Sequence, residues 1–142
     1  MQDTPSIKIT YDARVLVQKD FVVKMSANET SVKPYGDDQM EYKYECTIPI
    51  PSYLIAIAVG DLEYRSLGRR VGVITEPVNM DFVANELENL ETMLDTVEDY
   101  LKVPYVWGNY SILILPPSFP MGGMENPLLT FASPTIITGD KS

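Results

Sequence analysis

The chain has 142 residues, 45% of them hydrophobic and 22% charged, which suits one ordinary soluble domain or parts of two. Eleven basic residues against 20 acidic ones leave a net charge of −9, which argues against nucleic acid or an anionic membrane surface as partner. Histidine is absent and cysteine occurs once, so the chain supplies no His-ligated zinc, no Ser-His-Asp triad and no internal disulfide.

Taken in order, the first half reads as β structure. Ile7, Ile9, Tyr11, Ala13, Val15 and Val17 alternate with mostly polar residues, the mark of a strand with one buried and one wet face. Phe21 to Met25 is a second, shorter apolar stretch. Asn28 to Gln39 is polar and contains Pro34 and Gly36, so a loop is expected there. Met40, Tyr42, Tyr44, Cys46, Ile48 and Ile50 alternate with polar residues as another long strand, with Cys46 on its apolar face. Leu54 to Val59 is the longest apolar run, well short of the ~18 residues of a membrane span, and reads as a buried central strand. Val71 to Ile74 is a short strand.

The period then changes. Val83, Leu87, Leu90, Leu94, Val97 and Leu101 recur at helical spacing, predicting one amphipathic helix from about Pro77 to Lys102. Its charges are almost all acidic, including Asp81, Glu91, Asp95 and Glu98; they form either a solvated face or a docking face for a basic partner. Strands follow at Tyr110 to Leu115 and Leu128 to Ala132, on either side of a proline-rich turn, and then comes Thr135 to Ile137. The switch in pattern divides the chain into an all-β block, residues 1–75, and a helix-plus-strands block, residues 76–142. The opening residues lack a secretory signal, and the lone cysteine suits a reducing compartment, so the expected location is cytoplasmic.

The segment with most chemical content is Gly122-Gly123-Met124-Glu125-Asn126, set between Pro120 and Pro127. The residues alone allow two readings. One is a tight Gly-Gly turn with a solvated glutamate. The other is a peptide-binding edge: glycines let an extended chain approach the backbone, and Glu125 pairs with a terminal ammonium.

This segment resembles the exopeptidase signature of the M1 family of zinc aminopeptidases. The wider context resembles the branch that holds leukotriene A4 hydrolase and aminopeptidase B: Pro104-Tyr105-Val106-Trp107-Gly108, Leu115-Pro116-Pro117-Ser118-Phe119-Pro120, Leu129-Thr130-Phe131, Gly139-Asp140-Lys141-Ser142, and Ile48 to Ala56. The resemblance covers essentially the whole chain. It implies a mixed β and α+β architecture, in which residues 1–75 end an N-terminal saddle-like β domain and residues 76–142 open a thermolysin-like catalytic domain. It also implies that Gly122 and Gly123 bind peptide backbone, Glu125 binds the free α-amine, and Met124 and Asn126 shape the strand.

The family's zinc site, His-Glu-x-x-His plus a distant glutamate, would lie beyond Ser142, so zinc is expected in the full-length protein and no activity in this segment alone. The expected partners are peptides with a free N-terminus, with no nucleic acid and no membrane. A segment cut within a domain is also expected to self-associate. Two alternatives stand beside the aminopeptidase reading. One is a bifunctional enzyme that also hydrolyses a lipid epoxide, although Met121 stands where leukotriene A4 hydrolase has an aromatic residue in its cleft. The other is a noncatalytic β-rich interaction module.

Overall fold

The computed structural model describes residues 2–138, and the Gly139-Asp140-Lys141-Ser142 part of the resemblance lies outside them. The chain forms two compact units. One runs to Leu62 and includes Glu125–Leu129; the other comprises Glu63–Met124 and the residues from Thr130. The change of sequence pattern at Thr75 therefore falls inside the second unit, at the end of a strand.

In the first unit, β1 (Lys8–Gln18), β3 (Asn28–Tyr35) and β4 (Gln39–Pro51) form an antiparallel sheet in the order β1-β4-β3. A two-stranded ribbon pairs β2 (Val22–Met25) with β5 (Ile57–Gly60). The alternation read in β1 is borne out residue by residue, each odd position being more buried than its even neighbours. Cys46 is 2% exposed and lies in the core with Tyr42, Tyr44 and Ile50. Tyrosine hydroxyls tie the sheet to the ribbon. Tyr44 donates to the Val23 carbonyl at 2.6 Å, and Tyr11 donates to the Ser26 carbonyl at 2.9 Å. The Ser26 hydroxyl in turn donates to the Leu54 carbonyl and accepts from the Ala56 amide.

On the outer face of β4, the Glu41 carboxylate is covered by basic side chains. Arg14 Nε lies 2.5 Å from it, and Lys33 and Lys43 lie 3.4 and 3.8 Å away. The hydrogen bond from Arg14 holds this carboxyl below the usual carboxylate range against the opposing effect of its burial.

Two expectations fail in this unit. Residues 28–35 are a strand, not a loop: every residue but the half-buried Ser31 is exposed, so neither face carries an apolar alternation to reveal it. Leu54 to Val59 is not a buried central strand. It splits into a 3₁₀ turn, Ser52–Leu54, and β5, whose Ile57 and Val59 are 50% and 49% exposed because the two-stranded ribbon leaves one face uncovered.

The second unit holds most of a five-stranded mixed sheet in the order β6-β7-β8-β10-β9, from β6 (Glu63–Ser66), β7 (Val71–Thr75), β8 (Tyr110–Ile114), β9 (Gly123–Asn126) and β10 (Leu129–Ala132). β7 is antiparallel to β6, while β7, β8 and β10 run parallel. All five residues of β7 are buried, as a strand with neighbours on both sides requires. Gly72 sits in β7 beneath the Tyr64 ring; a Cβ there would lie 2.3 Å from Tyr64 Cε2.

The predicted single helix is two: α1 (Met80–Glu86) and α2 (Leu90–Leu101), preceded by a 3₁₀ turn at Pro77–Asn79. The helical path breaks at Leu87 and Asn89, whose ψ angles of 14° and 8° leave the α region. The break lets Met80, Val83 and Ala84 of α1 pack on Val73, Ile112, Ile114 and Ala132, with Leu87 and Leu90 alongside. Lys102, in the left-handed conformation, ends α2.

The acidic side of α2 is neither merely solvated nor open for docking where it meets Arg70. That guanidinium reaches Glu91 at 2.9 Å, Asp95 at 2.6 Å and Glu98, and the Arg70 amide also donates to Glu91. The opposite side of α2 carries Met93, Val97, Tyr100 and Leu101, all exposed. Thr135 and Ile136 belong to a 3₁₀ turn, Pro134–Ile136, that follows β10.

Candidate active-site edge

β8 feeds a proline-rich loop held to the sheet by its own backbone. The Leu115 amide donates to the Ala132 carbonyl at 2.9 Å, and the Phe119 amide to the Pro116 carbonyl at 3.0 Å. Phe119 packs edge-to-face on Phe131 of β10, with ring centroids 6.1 Å apart. The loop then delivers Gly122 and Gly123 to β9, the last strand of the sheet order, whose far side has no neighbouring strand among the described residues.

Two residues, Pro127 and Leu128, join β9 to β10. A connection that short makes the pair an antiparallel hairpin. Proline followed by a residue at φ 66° is the pattern of a type II turn, and Leu128 carries that positive φ without being glycine. Such a side chain costs ~1–2 kcal/mol in the left-handed region. The sheet accommodates it beside the segment of most chemical interest, a setting where backbone strain gathers.

All five residues singled out by sequence lie on or next to this edge. Gly122 is exposed, and a Cβ built on it meets nothing within 4 Å. Its φ is outside the left-handed region, so neither backbone strain nor crowding within this chain demands glycine there. Gly123 and Glu125 are exposed on β9. Met124 is half-buried. Asn126 is 4% exposed, and its Nδ2 finds no hydrogen-bond partner among the described residues. Met121, 49% exposed, immediately precedes the glycines.

Sequence reading missed Ser133. Its amide donates to the Gly122 carbonyl at 3.0 Å, and its hydroxyl accepts from the Thr135 amide at the start of the 3₁₀ turn. The Ser133-Pro134 pair was the available signal, because serine before proline is a common way to open a helical turn. No group of three or more His, Cys, Asp or Glu among the described residues could hold a metal ion, and the whole sequence lacks histidine. The residues of this chain therefore do not fit a zinc site.

Comparison with known proteins defines the class. Residues 85–142 match the Peptidase family M1 domain. That stretch is similar to M1-family peptidases, and the chain's mixed sheet-and-helix fold matches leukotriene A4 hydrolase-like structures. More particularly, it is 48% identical over 143 residues to leukotriene A-4 hydrolase from Xenopus laevis, and 45% identical over 143 residues to leucine aminopeptidase 2 from Chaetomium globosum. Each alignment takes in 99% of this chain and 23% of the relative. The structure of native yeast LTA4 hydrolase superimposes with a TM-score of 0.85 at 38% identity, over 99% of this chain and 21% of that one. The chain thus spans about a quarter of the length of the proteins it matches.

Proposed function

We propose that the full-length protein is a zinc-dependent aminopeptidase that removes N-terminal residues from peptides. In this reading the chain carries the end of its N-terminal β domain and the opening of its catalytic domain. The observation that carries the reading is the position of β9: an exposed carboxylate, Glu125, stands on a free sheet edge two residues from Gly123. An extended peptide adds to such an edge through main-chain hydrogen bonds. The Glu125 carboxylate then pairs with the free α-ammonium and fixes which end of the peptide is presented. Gly122 and Gly123 leave the backbone open to approach, and Met124 and Asn126 shape the strand beneath. The zinc belongs to parts of the protein beyond this chain's residues, and family resemblance is the ground for it.

Glu125→Gln in the full-length protein tests the role of the charge. Removing one partner of a charge-assisted contact costs on the order of a hundredfold or more in kcat/KM. Turnover of a free tripeptide within about threefold of wild type would remove Glu125 from the amine site. Metal analysis of the same preparation tests for zinc, and absence of both metal and peptidase activity would favour a noncatalytic interaction module. A second reading, lipid epoxide hydrolysis beside peptidase activity, is raised by the name of the Xenopus relative. A lipid epoxide assay on the same protein decides it.

A cytoplasmic location is part of the proposal, supported by the one cysteine being a free, buried thiol, and cell fractionation tests it. Self-association of the isolated chain is proposed through the exposed apolar side of α2, where Tyr100 is 85% exposed. Sedimentation that stays monomeric across a hundredfold range of concentration would refute it.

A further inference from the structure

We propose that Ser133 is the positioning residue of the peptide-binding edge: its main-chain N–H turns the Gly122–Gly123 peptide unit so that the Gly123 N–H faces outward, as a donor to the main chain of a bound peptide. This rests on the aminopeptidase reading above and adds to it a residue outside the five-residue segment. The described residues contain no cis peptide bond, so the carbonyl and N–H of each peptide unit point in opposite directions. The Gly122 carbonyl is drawn toward β10 by the Ser133 amide at 3.0 Å. The Gly123 N–H must then point the other way, to the side of β9 that has no neighbouring strand among the described residues. Apart from its two chain neighbours, nothing lies within 4 Å of a Cβ built on Gly122.

Three features hold Ser133 in place. Its amide closes the hairpin just past the end of β10. Its hydroxyl accepts from the Thr135 amide at 3.3 Å and meets the Thr135 hydroxyl at 3.2 Å. Pro134 fixes the first residue of the turn that follows. The residue is 8% exposed, so these contacts are screened from water. Along the edge, Gly123 and Glu125 are two residues apart, roughly 6.6 Å in an extended strand. That spacing suits one peptide whose amine sits at Glu125 while a carbonyl beyond its first residue accepts from Gly123.

The test compares substrates in the full-length protein. Ser133 has φ −73°, which proline adopts without strain, so Ser133→Pro deletes the donor and drives the ring into the place of the hydrogen bond. For a free tripeptide we expect KM to rise at least tenfold. For leucine p-nitroanilide, which has an amine but no main-chain carbonyl beyond the scissile bond, kcat and KM should stay within about threefold. Ser133→Thr, which keeps both the N–H and a hydroxyl, should match wild type on both substrates. Equal losses on the two substrates would show general damage and overturn the proposal, as would no loss on either. If Ser133→Pro shows no thermal unfolding transition, Ser133→Ala decides. It keeps the N–H but loses the turn contact, and should raise tripeptide KM about two- to fivefold while sparing the p-nitroanilide; any other pattern overturns the proposal. Failure here is distinguishable from failure of the aminopeptidase reading, because only the latter leaves the wild-type full-length protein without metal and without peptidase activity.

Discussion

Gly122→Ala separates what this sheet needs to fold from what its edge needs to work. The built Cβ meets no heavy atom within 4 Å, so the methyl group causes no overpacking. Its φ lies outside the left-handed region, so alanine adopts the native backbone unstrained. Under those conditions the main effect of the change is on the unfolded chain, and replacing glycine stabilises by ~0.4–1 kcal/mol. For a chain of this size that raises Tm by about 1–4 °C.

Gly72→Ala supplies the opposite case within the same sheet. There the Cβ would lie 2.3 to 2.5 Å from three atoms of the Tyr64 ring, so the ring must swing away or the strands must part. The Tyr64 ring is half-exposed and can swing into solvent, so the cost is that of its lost packing on the strand, on the order of 1 kcal/mol. Urea and thermal unfolding of the two variants should therefore move in opposite directions. In the full-length protein, Gly122→Ala should also lower tripeptide kcat/KM by roughly ten- to a hundredfold, because a misplacement near 1 Å is that expensive to a reacting geometry. The reasoning fails if Gly122→Ala destabilises the protein by more than about 1 kcal/mol, or if its peptidase activity is unchanged.

Arg70 is expected to govern the attachment of α2. Arg70→Ala removes the cation that Glu91, Asp95 and Glu98 share and leaves only Arg69, 3.9 Å from Glu91 and Asp95, so amide hydrogen exchange should quicken across Leu90–Leu101 while β8 keeps its protection. Acid should produce the same pattern. Hydrogen bonds from the Arg70 amide and guanidinium hold the Glu91 carboxyl below the usual carboxylate range. A lowered folded-state pKa contributes stability that is complete above about pH 5 and lost as pH falls through that lowered value. Protection of α2 that survives in Arg70→Ala would show that apolar packing alone attaches the helix.

Legibility from sequence followed burial. β1 and β4 have one wet and one dry face, and their alternation was plain. β3 and β6 were hidden for opposite reasons. β3 is an edge with no dry face to mark it, and β6 is four residues of mixed character whose pairing partner β7 carries the apolar signal. The helical stripe faces the core at Val83, Leu87 and Leu90, while its later members Val97 and Leu101 are exposed, and periodicity does not register the three-residue break between α1 and α2. At the candidate site, Gly122 through Asn126 were legible as a pattern of residue types. For Ser133, the serine-proline pair marks only the turn it opens; its contact with Gly122 runs through the backbone amide, and a main-chain contact across a hairpin leaves no trace in side-chain identity.

The mixed direction of the second sheet sets an order of assembly. β7 and β8 run parallel, and parallel strands cannot be joined by a tight turn. Both helices lie in the crossover between them, so β7 waits for α1 and α2 before its second neighbour arrives. During synthesis β9 and β10 leave the ribosome after β1 to β8. A ribosome stalled before Tyr110 would carry a complete β6–β7 hairpin beside a bare flank, which makes the nascent chain vulnerable to protease or chaperone capture until that next strand appears.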